Sequence, residues 1–360
     1  MAAIPKYVFV IIDSSGNQYE FERATRRAWE YYENDVGRCR FFVPYNDLKL
    51  STTSISDNKL SEIRIYRSGS LVWQGAIQIV QDTVDGTWVY GETYNAFLGW
   101  YGVRYNQSYT AIAIGTIITN EYANIISRSS NILSAKITQG TIQSPYITGT
   151  ASDLTITRTL FHENFLSFLK QMVLASRAEM TTSFAQNTAF NISFSETAPT
   201  FTFTRNVGSN KADVVLELGS EIVEFNIPRD MRDITNSVKG LAIGTGPIVL
   251  STTATDTTSQ SSWYLREQYP FFNNVTAQND LNQRTDNFLF ERKDTKRDMK
   301  IKLAAGLVPF DGYALGDSIK VRINRGRVEI DEFRRVVGME VDIDETGIES
   351  SVPILEKART

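Results

Sequence analysis

The two ends of the 360-residue chain are dominated by short segments in which apolar and polar residues alternate. This alternation predicts half-buried strands, because successive side chains of a strand point to opposite faces of a sheet. The N-terminal region contains six such segments: Tyr7 to Ile12, Asn17 to Glu22, Arg38 to Val43, Glu62 to Tyr66, Ser70 to Gln81 and Trp88 to Thr93. The pairs Gly16-Asn17, Ser68-Gly69 and Asp85-Gly86 supply turns between them. Strands of this length and spacing predict a closed or nearly closed antiparallel barrel, with 25–33 either a short excursion or a bent strand.

The middle of the chain changes to a helical period. Ile114, Ile117, Ile118, Tyr122, Ile125 and Ile126 recur at steps of three and four residues, which predicts a helix weakened by Gly115. A second helix is predicted from about Leu160 to Glu179, with Thr157 or Thr159 as its cap. Residues 140–149 between them favour strand and loop. A third helix is predicted from Thr276 to Arg292.

Alternation returns after residue 188 and predicts a second sheet. Its segments are Phe190 to Phe194, Phe201 to Thr204, Val214 to Leu218, Ile222 to Ile227, Lys300 to Leu303, Ser318 to Ile323, Arg327 to Val337 and Val341 to Ile343. The polar stretch from Ser251 to Ser262 has nothing apolar to bury and is interpreted as a mobile surface loop. The pattern as a whole predicts a β-dominated α+β protein.

Composition narrows the function classes. With 37 basic and 41 acidic residues the net charge is -4, which disfavours sequence-independent binding to nucleic acid or to a membrane surface. One cysteine and one histidine exclude an intrachain disulfide framework and an ordinary zinc site. The apolar run at Tyr7 is too short for a signal peptide, and the longest apolar runs fall short of 18 residues. We therefore expect no classical export signal and no stable membrane insertion.

The residues with catalytic potential each have a simpler structural interpretation. His162 lies at the start of a predicted amphipathic helix, where an ordinary helix residue is favoured over a general base. Cys39 lies between two arginines of a strand, but neighbouring strand residues face opposite sides, so a buried thiol is favoured over a nucleophile.

Three short motifs are also interpreted as structure. Asp342 to Gly347 resembles a phosphotransfer motif and the start of a calcium loop, but the twelfth loop position is Pro353, so a hairpin turn is favoured. The glycines of 240–246 favour a turn over a phosphate cradle. Lys320 and Arg322 share a strand face that could meet an acidic partner, although a solvated face is favoured. No local motif singles out the two carboxylates that a glycosidase needs.

The order of several phrases resembles the tail-hub proteins of tailed bacteriophages, the family that includes the baseplate hub of contractile tails. The N-terminal phrases are Arg40-Phe-Phe-Val-Pro-Tyr45, Glu62-Ile-Arg-Ile-Tyr-Arg-Ser-Gly69, Leu71-Val-Trp-Gln-Gly75 and Tyr90-Gly-Glu-Thr-Tyr94. The central phrases are Phe201-Thr-Phe, Gly208, Lys211-Ala-Asp-Val214, Asn236-Ser-Val238 and Gly244-Thr-Gly246, and the last is Tyr313-Ala-Leu-Gly-Asp-Ser-Ile-Lys-Val321. Each phrase is common in β proteins, and their number and order over nearly the whole chain give the resemblance its weight.

The resemblance implies two antiparallel β-barrel-like domains with two smaller α/β domains. The N-terminal barrel would span 1–106 and a helix-containing α/β domain 107–185. A second barrel would combine 186–230 with 300–360, interrupted by a helical insertion at 231–299. Three copies with two barrels each would form a ring of pseudo-sixfold symmetry.

The implied function is that of a structural tail-tip hub at the distal end of the virion tail, assembled in the host cytoplasm. Its implied partners are two further copies of itself, the distal tail protein or tail tube, the tape-measure protein, and a spike or fibre, with DNA only in transit. Because the chain ends about 40 residues after Leu315-Gly-Asp317, we expect no fused host-binding or lytic module. We predict no catalytic, cofactor-binding or metal-binding residue. The alternatives are a carbohydrate-binding β protein that uses Trp88 or Trp100, and a cell-wall-degrading enzyme.

Overall fold

A computed structural model describes residues 5–47, 49, 61–145, 152–160, 163–178, 188–205, 207–228, 230–243, 249–272, 275, 277–294 and 299–357. The strands in the first half are β1 (Tyr7–Ile12), β2 (Gln18–Phe21), β3 (Thr25–Tyr32), β4 (Arg38–Pro44), β5 (Glu62–Arg67), β6 (Ser70–Thr83), β7 (Gly86–Thr93), β8 (Gln107–Ala113), β9 (Thr138–Ile142) and β10 (Thr155–Leu160). Those in the second half are β11 (Ala189–Ile192), β12 (Thr200–Thr204), β13 (Asn210–Glu217), β14 (Ile222–Asn226), β15 (Ser237–Ala242), β16 (Leu250–Thr255), β17 (Glu267–Gln268), β18 (Met299–Leu303), β19 (Ser318–Arg325), β20 (Val328–Ile343) and β21 (Glu349–Lys357). The helices are α1 (Asn95–Leu98), α2 (Ile114–Ile126), α3 (Ile132–Lys136), α4 (Phe165–Ala178), α5 (Thr257–Trp263) and α6 (Gln278–Arg292).

Both ends of the chain belong to one 13-stranded sheet. Its main order is β14-β18-β21-β20-β3-β4-β7-β6-β5-β1-β2, and β19 joins β20 to β13. The seam between the two end regions is the antiparallel pair β3 and β20, where Trp29 lies opposite Val341 and Tyr32 opposite Gly338. The segment 25–33, for which two interpretations were open, is therefore a strand, and it is the strand that connects the two ends.

A long strand lets the C-terminal region curl toward itself. The 16-residue β20 pairs with β19 through its first half and with β21 and β3 through its second half. The strands β13 and β14 lie at opposite ends of the order β13-β19-β20-β21-β18-β14, and an isolated bridge joins Leu218 to Ile222. The two C-terminal segments predicted at 327–337 and 341–343 are this single strand.

One apolar core fills both end regions. It runs from Phe9, Phe41 and Trp73 of the first region to Ile301 and Met339 of the second, all fully buried. Burial of a large apolar side chain contributes about 1.5–3 kcal/mol, so the shared core favours both regions folding together.

The helix-containing unit has a second core, in which α2 and α4 pack with β8, β10 and the sheet β11-β12-β9. Strands β11 and β12, assigned from the sequence to the second barrel, instead pair with β9, and Phe190 and Phe201 are buried in this core. The helix at 114–126 is confirmed.

Helix α4 begins later than predicted. Residues 155–160 form strand β10, which pairs with β8, so Thr157 and Thr159 are strand residues and not helix caps. The amide of Ser167 donates to Asn164 Oδ1 at 2.8 Å, which makes Asn164 the capping side chain.

A third, smaller unit consists of the sheet β16-β15-β17 with α5 and α6. The interpretation of Ser251 to Ser262 as a mobile loop is wrong, because its first half pairs with β15 and its second half is helical. Asp256 ends the strand and caps the helix by accepting from the Ser259 amide at 2.8 Å. Gly240 lies within β15 and not in a turn, whereas Gly244 and Gly246 lie outside the described residues. A Cβ at Gly240 would come 2.0 Å from Thr285 Oγ1 of α6.

Candidate interaction surface

The Trp73-Gln-Gly75 motif of the N-terminal region contributes to packing between strands. The Trp73 indole is fully buried and donates to the carbonyl of Glu30 at 3.0 Å. A Cβ at Gly75 would lie 2.1 Å from the carbonyl oxygen of Glu92 and 2.5 Å from the Trp73 ring. The phrase therefore allows three strands to approach closely, and its residues stabilise the fold.

The Leu-Gly-Asp phrase locks the second region in the same way. Gly208 and Gly316 both have φ near +90°, and a Cβ at Gly208 would lie 1.9 Å from the Gly316 carbonyl. The buried Asp317 carboxylate accepts from the Ser209 amide at 2.7 Å and from the Ala314 amide at 2.9 Å. Two phrases that lie more than 100 residues apart in the sequence thus meet in one contact.

Two candidates for chemistry, Cys39 and the segment 342–347, occupy structural positions. Cys39 is buried in β4, and burial raises the pKa of its thiol. Residues 344–348 form the β20–β21 turn, where Asp344 Oδ1 accepts from the amides of Thr346 and Ile348. The hydrogen bond from the Thr346 hydroxyl and these amide bonds lower the pKa of the Asp344 carboxyl. His162 lies outside the described residues.

The cations of β19 have a partner in the same sheet. Lys320 Nζ lies 2.9 Å and Arg322 Nε 3.5 Å from the Asp331 carboxylate on β20. Asp331 of the same chain therefore occupies the position that an acidic group of a partner could have taken.

Buried ion pairs reinforce the contact between the two end regions. The Glu349 side chain, 1% exposed on β21, accepts from Tyr7 Oη at 2.6 Å and from Arg67 Nε at 2.9 Å. At the other end of the seam the buried Arg335 pairs with the buried Glu33. These contacts connect residues about 300 positions apart and fix the two regions in one orientation.

The outer face of the seam forms a groove. One row of directly opposed residues crosses six neighbouring strands in the order Ser350, Asp342, Ala28, Arg40, Tyr90 and Ile79. With strands about 4.8 Å apart, such a row is roughly 24 Å long. Two adjoining hollows of about 890 and 770 Å³ lie along this face, and Arg40, Lys302, Asp342 and Ser350 line both. We call this feature the seam groove.

Charges of both signs and aromatic rings line the seam groove. Arg38 pairs with Glu92 at 3.4 Å, and Lys300 with Glu340 at 2.7 Å. The Arg26 guanidinium lies 5.6 Å from the ring centroids of both Phe42 and Trp88. Mixed charges beside aromatic side chains are typical of non-obligate protein interfaces.

One pair of carboxylates in the groove invites comparison with a hydrolase site. The Tyr32 hydroxyl lies 2.9 Å from Glu30 Oε2 and 3.0 Å from Glu340 Oε1. Burial and these two carboxylates raise the pKa of Tyr32. Glu340 also accepts from Lys300 Nζ at 2.7 Å, so within the sheet this carboxylate already has a cationic partner as well as the tyrosine hydroxyl.

The groove could not be found by reading motifs. Ala28 and Asp342 lie opposite each other only because β3 pairs with β20. The alternation of apolar and polar residues along each strand predicts only which face each residue lies on. The sequence offers no signal for this pairing.

The trace of the chain matches solved phage tail proteins over nearly its full length. The 43 kDa tail protein of prophage MuSo2 from Shewanella oneidensis aligns with a TM-score of 0.62 and 12% identity over 97% of this chain and 98% of its own. The tail protein from Neisseria meningitidis aligns with a TM-score of 0.59 and 11% identity over 98% and 96%.

A third match is a component of the type VI secretion system of E. coli that exhibits structural similarity to the T4 bacteriophage tail proteins gp27 and gp5. It aligns with a TM-score of 0.50 and 10% identity over 93% of this chain and 74% of its own. No protein-family model matches the chain, and no curated protein sequence matches it. The resemblance to phage tail proteins found in the sequence is confirmed at the level of the fold.

Proposed function

We propose that this chain is a structural hub protein at the tip of a bacteriophage tail. The observation that carries the proposal is the match over the whole chain, both end regions and both smaller units included, to tail proteins of similar length. Such coverage supports a fold shared over the whole chain, and not only one common barrel.

Three copies would build the hub. Each copy would contribute two barrel-like regions, the N-terminal one expected at 1–106 and a second one built from β13, β14 and β18 to β21, so that a trimer presents six similar modules to a sixfold tail tube or distal tail protein. Its other face would present threefold symmetry to a spike or fibre, and the tape-measure protein and DNA would pass through the centre. The seam and its buried ion pairs support this role, because they hold the two modules of one copy at a fixed spacing.

Assembly requires complementary surfaces and no chemistry. The seam groove supplies one such surface, with balanced charges that are largely paired within the chain. The mixed charges of the groove support a docking role over the lytic alternative, and Trp88, on which the carbohydrate-binding alternative rests, lies in the same groove with the Arg26 guanidinium 5.6 Å from its ring.

Stoichiometry tests the proposal. Native mass measurement of tail complexes from the phage or prophage that encodes the chain should give three copies per tail. A different number, or complexes that lack the chain, would overturn the hub assignment. Clearing of peptidoglycan by the purified chain, lost in Glu30→Gln, would instead support the lytic alternative.

A further inference from the structure

The smallest unit, 230–294, is attached to the rest of the chain at a single place. The chain leaves the large sheet at Asn226 of β14 and returns at Lys300 of β18, and these two residues are directly paired. Within the unit the two connections stay together, since the Thr235 amide donates to the Arg292 carbonyl at 2.9 Å. An insertion with adjacent entry and exit can rotate as a body without disturbing the sheet from which it emerges.

The apolar core of this unit is separate. Its buried apolar residues form two small clusters, one around Val238 and Leu289 and one around Val275 and Leu281. Among the described residues, neither cluster includes a side chain from the large cores. The small unit therefore does not depend on burial against the rest of the chain for its own core.

The small unit contacts the rest of the chain where its helix α6 packs against α4 and β10, and we call this contact the seat. A cavity of about 190 Å³ lies between the two sides, and both polar and apolar side chains line it. On one side Arg158 donates to Glu163 Oε1 at 2.7 Å and also to Gln171. On the other side Arg284 pairs with Asp280 of its own helix at 3.0 Å.

Each ion pair at the seat therefore joins two residues on the same side of the contact. Separation of the two faces would leave Arg158 with Glu163, and Arg284 with Asp280, so these pairs do not hold the unit down. In the seated position Arg158 Nε and Asn287 Oδ1, which belong to residues that line the cavity, are buried and have no hydrogen-bond partner in the described structure. Movement of the unit away from α4 would expose both atoms to water, which reduces the free-energy cost of separating the two faces.

We propose that residues 230–294 form a hinged module that swings between a position seated on α4 and an open position, about the paired connections at Asn226 and Lys300. The motion is a rigid-body rotation, since the sheet of the module is covered by its own α6. This inference concerns the isolated chain and does not depend on the hub assignment.

Pulsed electron spin resonance on the full chain tests the hinge. One spin label at Ala123→Cys on α2 is combined with a second at Ser262→Cys on α5 of the module. The matched control pairs Ala123→Cys with Glu329→Cys on β20, both outside the module. All three positions are exposed, and the native Cys39 stays unlabelled because it is buried.

We expect the distance distribution across the hinge to be roughly twice as broad as that of the control, or to contain two populations. Asn287→Leu, which places an apolar side chain against Met172 and Phe288 in the cavity, should narrow it toward the control width. Gln283→Leu on the same cavity wall serves if Asn287→Leu does not fold. A distribution as narrow as the control, unchanged by either substitution, would overturn the proposal.

Discussion

Two glycines with the same backbone angle allow steric crowding to be separated from backbone strain. Gly16 and Gly208 both have φ of +89°, but a Cβ at Gly16 meets nothing within 4 Å, whereas one at Gly208 would clash with Gly316. We expect Gly16→Ala to lower the free energy of unfolding by about 1 kcal/mol through backbone strain alone. Gly208→Ala should lower it by several times as much, because the backbone of residue 316 must move. Chemical denaturation followed by tryptophan fluorescence measures both, and equal effects would contradict the close approach.

The buried carboxylate of Glu349 provides a second test at this scale. Glu349→Gln leaves the buried Tyr7 hydroxyl and Arg67 without their shared anion, so we expect a loss of about 3 kcal/mol in the free energy of unfolding. Glu22→Gln is the matched control, because its pair with Lys6 is exposed and should contribute nothing measurable. A small effect at Glu349 would mean that the seam does not need this contact.

Two buried tyrosines of the helix-containing unit differ in their hydroxyl partners. Tyr109 donates to Glu121 at 2.6 Å, whereas the Tyr122 hydroxyl has no partner in the described structure. We expect Tyr109→Phe to lower the free energy of unfolding by about 2 kcal/mol. Tyr122→Phe should leave it unchanged or raise it slightly, because it removes an unpaired buried polar group. Thermal unfolding of the two variants at neutral pH distinguishes these outcomes.

The same tyrosines set a pH dependence at the alkaline end. Burial raises the pKa of Tyr122 from 10.0 to about 12, and burial with the Glu121 hydrogen bond raises that of Tyr109 to about 12. When the folded pKa of a phenol exceeds its unfolded value, its ionisation favours the unfolded state, so the fold keeps its full stability below pH 10 and loses part of it as the pH rises to 12. We expect the melting temperature to fall over that window and to fall less steeply in Tyr122→Phe. A fall of equal steepness in the variant would contradict the cause.

At the scale of elements, Gly240 determines how closely α6 approaches β15. A Cβ at residue 240 would lie 2.0 Å from Thr285 Oγ1. We expect Gly240→Ala to destabilise the small unit alone, which hydrogen exchange would show as faster exchange in α6 and unchanged exchange in α2. Thr285→Ala removes the clashing oxygen, so the double variant should recover part of the protection. Absence of recovery would argue against this contact.

Hydrophobic periodicity and helix-capping residues determine which elements can be predicted from the sequence. The strands of the first region and the helix at 114–126 follow strong patterns and are found. Strand β10 is not predicted from the sequence, because Thr157 and Thr159 also fit the capping position before the helix, and only the pairing with β8 shows that they are strand residues. The Ser251 to Ser262 stretch lacked an apolar pattern because β16 is an edge strand with one covered face and α5 is short and exposed. The one local signal in this stretch is Asp256, which caps α5.

At the scale of the whole molecule, the two strand-rich ends were foreseen but their union was not. The sequence predicts two modules, and the structure joins them through β3 and β20 into one sheet with one core. Such pairing depends on edges that meet only after folding, and no local residue pattern records it. The seam groove, which exists only because of this union, was for the same reason out of reach of motif analysis.

The proposed assembly is a ring of three copies of this chain at the tip of a phage tail. Electron cryomicroscopy of tails from the encoding phage or prophage tests it most directly. We expect density for three copies in a ring at the distal end, with the two β regions of each copy alternating around a pseudo-sixfold axis. A tail tip without this chain, or one with a number of copies that is not three, would contradict the account.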